Sequence, residues 1–268
     1  DASAGPEWIT EVCFWCLSPA VAFSPLTQVA RSIVLTSGTL SPLESFVSEI
    51  GIPFPHRLEA AHIIDKSQVS NLLPGSSPVG VTLNGCYENS DNRSYQDALG
   101  ESILRICAGV PEGVLAFFPS YGFMGKVVDR WKATDVWANM QACKKLFLEP
   151  SGIDAKEKFP RVMKGYCTAN QVRACECIAA ETNTRANWKS AVSRLRVDLR
   201  QMSEGIDFSD HNARGVILVG VPYPAAKDLQ VTLKKEHNDQ QRRNGRSALS
   251  GSEWYKLQAH RSMNQAIG

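Results

Sequence analysis

The sequence has no apolar run long enough to cross a membrane, and its start lacks the basic-then-apolar pattern of a secretory signal. It also lacks the G-x-S-x-G, H-E-x-x-H and dinucleotide-binding glycine motifs of common hydrolases, zinc peptidases and dehydrogenases. We therefore expect no membrane partner. An unrelated small-molecule α/β enzyme would need a closed pocket with a convergent nucleophile and base, and no motif indicates one.

The net charge is also small, at +2 for 268 residues. Such a balance does not identify a nucleic-acid-binding protein, so any binding to nucleic acid has to come from local basic patches. Residues 234–246, KKEHNDQQRRNGR, form one basic polar run. A run of this kind is usually a solvated face, although beside a DNA channel it would add phosphate contacts.

Cysteines are present but scattered, and the 8 of them do not form a disulfide or metal-binding pattern. Cys13 with Cys16 and Cys175 with Cys177 are the closest pairs, and no second well-spaced pair or histidine pair accompanies either. We expect reduced thiols of an intracellular protein and no metal site.

Apolar segments with strand character alternate with segments of helical periodicity, which predicts a doubly wound α/β domain with a mainly parallel sheet. Residues 216–221 form a β-branched run that does not alternate, as expected of a strand covered on both faces. Residues 1–29 are expected to be irregular and residues 72–92 to form a long loop. The other predicted strands are 32–35, 62–64, 114–118 and the KKLFLEP segment 144–150, and the predicted helices are 41–50, 95–108, 125–134, 153–167 and 254–263. Ser41 is the expected N-cap of the first helix, with Glu44 three residues later.

Two polar turns stand beside predicted strands. The segment SEGIDFSD precedes the 216–221 run and contains Ser203, Glu204, Gly205 and Asp207, side chains and backbone suited to sugar hydroxyls, a metal or ordered water. An ordinary solvated connection is the alternative for this turn.

The second turn follows the strand 114–118, where Ser120 and Tyr121 lie at the strand exit. A serine hydroxyl and nearby backbone N–H groups can bind a phosphate, a tyrosine can stack on a base, and the next helix would point its positive end at the phosphate. The alternative is a capped strand-to-helix link with a half-buried Tyr121.

Four blocks resemble the motifs of superfamily 2 DNA helicases of the xeroderma pigmentosum group D type, nearest the Fanconi anaemia group J and telomere-elongation regulator branches. Residues 203–224 resemble motif V and the next strand, 30–42 motif III, 113–121 the motif IV region, and 250–268 the run into motif VI. The resemblance implies a RecA-like, P-loop-NTPase-type α/β fold. It also implies that residues 1–42 are the tail of the first motor domain and that 43–268 are the second motor domain, truncated within motif VI.

The resemblance also implies roles for individual residues. The catalytic group would contain Glu204, Asp207 and Gln265, and the ATP-binding cleft between the motor domains Ser37, Gly38, Thr39, Gly205 and Gly268. The DNA-binding group would contain Ser120, Tyr121 and Ser203. The whole protein would be a nuclear ATP-dependent DNA helicase of DNA repair and genome maintenance, using ATP and Mg²⁺ on single-stranded or forked DNA. The missing first motor domain would carry the family's 4Fe-4S cluster.

The chain departs from this family in several respects. It has no G-x-x-x-x-G-K-[ST] loop, because Gly122, Gly125 and Lys126 have the wrong spacing and Val127 replaces the metal-binding hydroxyl. The acidic box and the motif VI arginines are also absent, and the first residue is not Met, so we expect a piece of a longer protein that does not hydrolyse ATP by itself. The alternative function is a truncated, inactive module that binds DNA or a partner.

Residues 186–200, ANWKSAVSRLRVDLR, stand where the family has a short apolar core strand. Their apolar residues recur at helical spacing, and basic residues would be costly inside a sheet. We therefore predict a helix that replaces the family strand, with a shifted reading frame or misjoined exon as its origin. The apolar positions are Trp188, Ala191, Val192, Leu195 and Leu199.

Overall fold

A computed structural model of the chain describes residues 12–37, 40–60, 64–150, 154–179, 191–197, 210–245 and 249–267. The chain divides into two compact units, one of Asp1–Ala61 with Pro224–Gln258 and the other of His62–Tyr223 with Ala259–Gly268. The boundary between motor domains after residue 42 stays a prediction.

The described helices are α1 (Ala20–Val29), α2 (Leu43–Ile50), α3 (Arg93–Gly109), α4 (Tyr121–Lys132), α5 (Asp135–Cys143), α6 (Ala155–Ala179), α7 (Leu229–Arg243) and α8 (Gly251–Ile267). The strands are β1 (Val114–Phe118), β2 (Lys144–Leu148), β3 (Ala191–Val197) and β4 (Gly215–Leu218).

The second unit contains a parallel sheet in the order β2-β3-β1-β4. Helices α4 and α5 lie between β1 and β2 along the chain, and α6 lies between β2 and β3, which is the kind of connection that parallel strands require. The predicted α/β fold with a parallel sheet is therefore confirmed. The predicted strand at 114–118 is present with the predicted bounds, and the strand predicted over 144–150 is present but ends at Leu148.

Strand β1 lies at the centre of this core, and all of its residues are buried. Val114, Ala116 and Phe118 pack in one cluster with apolar residues of α3 and α4, while Leu115 and Phe117 pack on the other face with Tyr166 and Ala266. Burial on both faces explains why the sequence VLAFF has no polar alternation. On an approximate scale of 25 cal/mol per Å² of buried apolar surface, such a strand makes a large contribution to stability.

Residues 191–197 form strand β3, so the helix predicted over 186–200 is wrong there, as is the proposed loss of the family's core strand. Strand β3 is paired with β1 on one side and with β2 on the other. Helical periodicity is a local signal, whereas two neighbouring strands offer unpaired backbone groups that only a third strand can satisfy. The tertiary requirement for backbone pairing prevails over the periodicity. Residues 186–190 and 198–200 lie outside the described residues.

Strand β4 corrects a second prediction, because the 216–221 run is covered only in part: Ile217 and Val219 pack with one apolar cluster and Leu218 with the other, while its two outer valines are exposed. The strand is shorter, Gly215–Leu218, and stands at the end of the strand order. Val216 is 37% exposed and Val221 is 42% exposed. Apolar, β-branched composition was compatible with a central or an edge strand, and only the pairing distinguishes them.

The first unit contains α1, α2 and α7 and the start of α8. Helix α1 corrects the expectation that residues 1–29 are irregular, and residues 32–35, predicted as a strand, belong to none of the described strands. Helix α2 confirms the helix predicted over 41–50 but begins later, at Leu43; its N-cap is Pro42 rather than Ser41, and no side chain caps it. The hydroxyl of Ser45 donates to the Pro42 carbonyl at 2.8 Å instead.

The basic run at 234–246 falls mainly on α7. Lys234 departs from the expected solvated face, because its ammonium donates to the Leu17 carbonyl at 2.5 Å and lies 6.0 Å from the centre of the Trp254 ring. Burial lowers the pKa of Lys234, while the charges of Glu49 and Cys16 act in the opposite direction. Its aliphatic stem contributes to packing, whereas Glu236, Arg242 and Arg243 of the same run are exposed.

The remaining helices follow the predictions with shifted bounds. Helix α3 confirms 95–108 and α8 confirms the C-terminal helix, while α6 extends well beyond residue 167. Helix α4 begins at Tyr121, earlier than the predicted residue 125. The 72–92 segment is a loop that ends in a 3₁₀ turn, Tyr87–Asp91. Two of the three residues of the strand predicted at 62–64 lie outside the described residues. In the described part of the chain no helix has the length and apolar character needed to cross a membrane.

Candidate functional site

Ser120 joins β1 to α4 and fixes the geometry of the strand exit. Its backbone is extended, with φ −161° and ψ 156°, and its side-chain oxygen accepts a hydrogen bond from the Phe123 N–H at 3.1 Å. This is the N-cap arrangement that satisfies one of the orphan N–H groups at a helix start. The Ser120 hydroxyl is exposed and keeps its own proton available for a ligand.

Tyr121 is the first residue of α4 and lies half-buried against the apolar cluster around β1. Phe123 and Met124, in the same first turn, are buried and anchor the helix on the sheet. The positive end of α4 is therefore held rigidly beside the last residue of β1. First-turn N–H groups lack carbonyl partners within the helix, so this end can bind an anion.

Lys126 lies in the second turn of α4 and forms an ion pair with Asp91, 2.6 Å between Nζ and Oδ1. The two side chains are 45% and 75% exposed, so the pair contributes little to stability. A phosphate placed at the α4 N-terminus could compete with Asp91 for this ammonium. Lys126 is the first cationic residue of α4 after Ser120.

The pairing of β1 with β3 determines which loops share an edge of the sheet. Phe118, the last residue of β1, lies opposite Val197, the last residue of β3, in a parallel register. The chain therefore leaves β1 toward Ser120 and leaves β3 toward residue 198 at the same carboxyl edge. Ligands in open α/β folds bind at such an edge. The predicted site residues Ser203, Glu204, Gly205 and Asp207 follow β3 but lie outside the described residues.

Two glycines meet near the same edge. Gly220 follows β4 with φ +74°, and a Cβ built on it would lie 2.9 Å from the carbonyl oxygen of Gly85. A Cβ on Gly85 would in turn lie 2.8 Å from Cα of Gly220. Side chains at either position would separate the 72–92 loop from the end of β4, and a positive φ favours glycine at 220.

The remaining predicted residues are spread over both units. Gln265 is exposed on the last turns of α8, beside Ala266, which is buried against Leu115 and Phe117. Ser37 is exposed in the first unit, whereas Gly38, Thr39 and Gly268 lie outside the described residues. The structure thus describes Ser120 and Tyr121 together, and it does not describe the association of the other predicted residues with them.

Within the described residues there is no group of three or more His, Cys, Asp or Glu side chains that could hold a metal ion. Among the described residues, Cys16, Cys86, Cys143 and Cys167 belong to no disulfide. These residues therefore do not fit a 4Fe-4S cluster, which requires four converging thiolates.

The sequence did not reveal the contacts that bring the ends of β1, β3 and β4 to one edge of the sheet. Strand β3 was hidden by its helical spacing, although Leu195 and Val197 with Arg194 and Arg196 also follow a period of two. The contact between Gly85 and Gly220 has no local signal, since it joins residues far apart in the chain. Asp91, the partner of Lys126, could not be found from sequence for the same reason.

The chain resembles known helicases over nearly all of its length. A family model described as "Helicase C-terminal domain" matches residues 103–268. The Fanconi anemia group J protein homolog of Gallus gallus is 42% identical over 255 residues, which cover 95% of this chain and 19% of that protein. The regulator of telomere elongation helicase 1 homologs of Drosophila ananassae and Aedes aegypti are each 41% identical, covering 95% and 96% of this chain and 24% of each relative.

These matches confirm the resemblance that the motifs predicted. The chain spans about a quarter or less of the length of these curated relatives. Its parallel α/β sheet, with a capped helix start at the end of β1, fits the fold expected of such a domain. The chain belongs to the helicase C-terminal domain family, among the helicases of the xeroderma pigmentosum group D type.

Proposed function

We propose that this chain is the second motor domain of a nuclear, ATP-dependent DNA helicase that acts in DNA repair and genome maintenance. The observation that carries the proposal is the parallel register of Phe118 with Val197, which starts the Ser120 loop and the 198–209 segment from one edge of the sheet. In α/β domains this edge is where nucleotide and nucleic-acid ligands bind. The Drosophila ananassae and Aedes aegypti relatives are named as helicase homologs, and the match to each extends over at least 95% of this chain.

Single-stranded DNA would be held at the β1 exit. The exposed hydroxyl of Ser120 and the N–H groups at the start of α4 are donors for a backbone phosphate, and the exposed part of Tyr121 offers a ring face for a base. Ser203, which follows β3 in the sequence, would add a further contact. Because Ser120 is already fixed as a helix cap, it would bind phosphate without a large loss of conformational entropy.

ATP would bind between this domain and a first motor domain. Glu204, Asp207 and Gln265 would position water, ribose or metal, while Gly205, Gly268, Ser37, Gly38 and Thr39 would line the cleft. Mg²⁺ bound with ATP would neutralise the developing charge on the phosphates, and the first motor domain would supply the phosphate loop and the 4Fe-4S cluster. The role of this chain's residues is to orient the reactants and to transmit the nucleotide state to the DNA-binding exit of β1.

A second candidate function is a binding module that holds DNA or a partner without turnover. The absence of G-x-x-x-x-G-K-[ST] from these 268 residues favours this function for the chain by itself. The two functions share the DNA contact and differ in whether ATP is hydrolysed when a first motor domain is present.

The experiment that separates them measures DNA-stimulated phosphate release. The chain would be joined to a first motor domain and a completed motif VI, and compared with the same assembly carrying Asp207→Ala. Turnover that requires DNA and Asp207 supports the motor function. An assembly that binds single-stranded DNA but releases no phosphate supports the binding module, and an assembly that binds no DNA contradicts both.

A further inference from the structure

A basic concavity lies between strand β2 and helix α6, away from the site at the β1 exit. Its volume is about 580 Å³, and it is lined by Lys145, Arg161, Lys164, Gly165, Thr168 and Ala169. We call it the β2–α6 basic pocket. Half of its lining residues are cationic and none is acidic, whereas the chain as a whole has a net charge of only +2.

The pocket is built by helical spacing and one close approach. Arg161, Lys164 and Thr168 are three and four residues apart on α6, so their side chains share one face of the helix. A Cβ on Gly165 would lie 3.2 Å from the Phe147 ring, so glycine lets α6 pack closely against β2 at this point. The ammonium of Lys145 lies 5.3 Å from the centre of the same Phe147 ring, which restrains it at the pocket.

The positive charge of this pocket is not neutralised by the described part of the chain. Lys145, Arg161 and Lys164 form no ion pair with any described carboxylate, although Glu157 lies one turn before Arg161 on the same helix. Lys158, one turn away from the pocket, pairs with Asp154 at 3.2 Å and so differs from these three cations. Unpaired cations around a concavity produce a local positive potential that attracts anions.

We propose that the β2–α6 basic pocket binds the phosphate backbone of a nucleic-acid strand, as a contact separate from the β1 exit. The three cations are exposed, so the pocket would not bury a small molecule in the way that typical small-molecule sites do. Exposed Lys and Arg side chains on one surface are the groups that contact successive backbone phosphates. The Thr168 hydroxyl can donate one further hydrogen bond.

The pocket is distinct from the predicted DNA site because it lies toward the other edge of the sheet. Lys145 is the second residue of β2 and lies opposite Val192, near the start of β3. Ser120, by contrast, follows the carboxyl end of β1, level with the end of β3. That the strand is nucleic acid rests on the proposed function, whereas the anion preference rests on the pocket alone.

The test uses the full chain and a labelled single-stranded DNA, titrated over a range of salt concentrations. A pocket variant would carry Lys145→Gln, Arg161→Gln and Lys164→Gln. A matched control would carry Arg105→Gln, Lys132→Gln and Lys158→Gln, which change the net charge equally outside the pocket. We expect the pocket variant to bind several-fold more weakly, with the slope of log K against log salt reduced by roughly 0.7 for each lost phosphate contact. Equal effects of the two variants, or no effect of the pocket variant, would overturn the proposal.

A footprint on the unmodified protein provides a second measurement that does not depend on variants folding. We expect single-stranded DNA to protect Lys145 and Lys164 from acetylation while Lys158 stays reactive. Equal protection by inorganic phosphate at the same phosphate concentration would overturn the nucleic-acid assignment. If a Tyr121→Ala variant retains DNA affinity and DNA still protects Lys145, the β1-exit site is contradicted and the pocket is supported. If Tyr121→Ala loses DNA affinity and DNA does not protect Lys145 in the unmodified protein, only the pocket is contradicted.

Discussion

Gly100 on α3 lies directly against the indole of Trp131 on α4. A Cβ on Gly100 would be 2.4 Å from Nε1 of Trp131 and 2.8 Å from Cγ1 of Val136. Trp131 is fully buried, and its Nε1 donates to the Gln96 carbonyl at 2.8 Å. The two helices that flank β1 on one face can therefore approach closely only because position 100 has no side chain.

Gly100→Ala should destabilise the protein although alanine is the better helix former. Replacing an interior helical glycine by alanine normally stabilises by about 1 kcal/mol, whereas overpacking a dense core costs about 1–3 kcal/mol. Because the indole is buried and hydrogen-bonded, we expect the clash to prevail. Gly125→Ala is the matched control, since a Cβ at that interior helical position meets nothing within 4 Å. Urea denaturation should show a lower midpoint for Gly100→Ala alone, and an equal or higher midpoint would contradict the packing.

Tyr121→Ala should weaken binding of single-stranded DNA, whereas Tyr121→Phe should retain most of it. Stacking of a base on an aromatic ring contributes about 1–3 kcal/mol, and phenylalanine keeps the ring face. Ser120→Ala should also weaken binding and should reduce stability by about 0.5–2 kcal/mol, because it removes the cap of α4. Low-salt titrations of the three folded variants measure these effects. Unchanged affinity in both alanine variants would remove the DNA assignment at the β1 exit.

The 268 residues by themselves should not hydrolyse ATP. They contain no phosphate loop with its lysine, and a missing arginine finger alone costs about 10³–10⁵ in rate. The measurement is DNA-stimulated phosphate release by the purified chain, against a control without protein. Turnover that disappears in Asp207→Ala would show that the chain is an enzyme without a further domain.

Glu112 should make the stability of the second unit depend on acidic pH. Its carboxylate accepts from Arg214 Nε at 2.9 Å and lies 2.6 Å from Nδ1 of His211. Burial acts to raise the pKa of Glu112, but the hydrogen bonds and charges of Arg214 and His211 together hold it below its ordinary value of 4.5. A carboxyl with a depressed pKa stabilises the folded state above its unfolded pKa and loses that contribution as the pH falls through its folded pKa.

We therefore expect the difference in unfolding free energy between the native chain and Glu112→Gln to be largest above about pH 4.5 and to shrink below it. Denaturation of both proteins at a series of pH values measures this difference. Comparison with Glu112→Gln is needed because the pKa values of Asp65 and Glu253 are also lowered. A difference that does not change across this window would contradict the role of Glu112.

Lys144 and Lys145 are neighbours on β2 with opposite environments, which allows a matched comparison. Lys144 is 1% exposed, and its ammonium donates to the carbonyls of Val110 and Glu112, each at 2.8 Å. Lys144→Met would remove both hydrogen bonds and leave carbonyl groups unsatisfied, at a cost of about 1–3 kcal/mol for each buried group. Lys145→Met, at an exposed position, should change stability by no more than about 0.5 kcal/mol. Equal thermal midpoints for the two variants would contradict this structural role of Lys144.

The sequence alone determined the elements whose local signals agree with their surroundings. The apolar run VLAFF, the helical spacing across α3 and the KKLFLEP segment predict β1, α3 and β2 with nearly correct bounds. The motif blocks also identified the family. Ser120 and Tyr121 could be placed at a strand exit because a proline and a polar pair follow a buried run, a pattern that depends on adjacent residues only.

The tertiary structure decided the features that depend on residues far apart in the chain. Residues 191–197 have helical spacing, yet they form β3 because β1 and β2 supply hydrogen-bonding partners on both sides. Strand β4 stands at the end of the described strand order and is only partly buried, which its β-branched sequence does not reveal. The cations of the β2–α6 basic pocket come from a strand and a helix that meet only in the fold. Sequence periodicity reports the environment of one segment, whereas pairing, edge position and charge clustering are properties of several segments together.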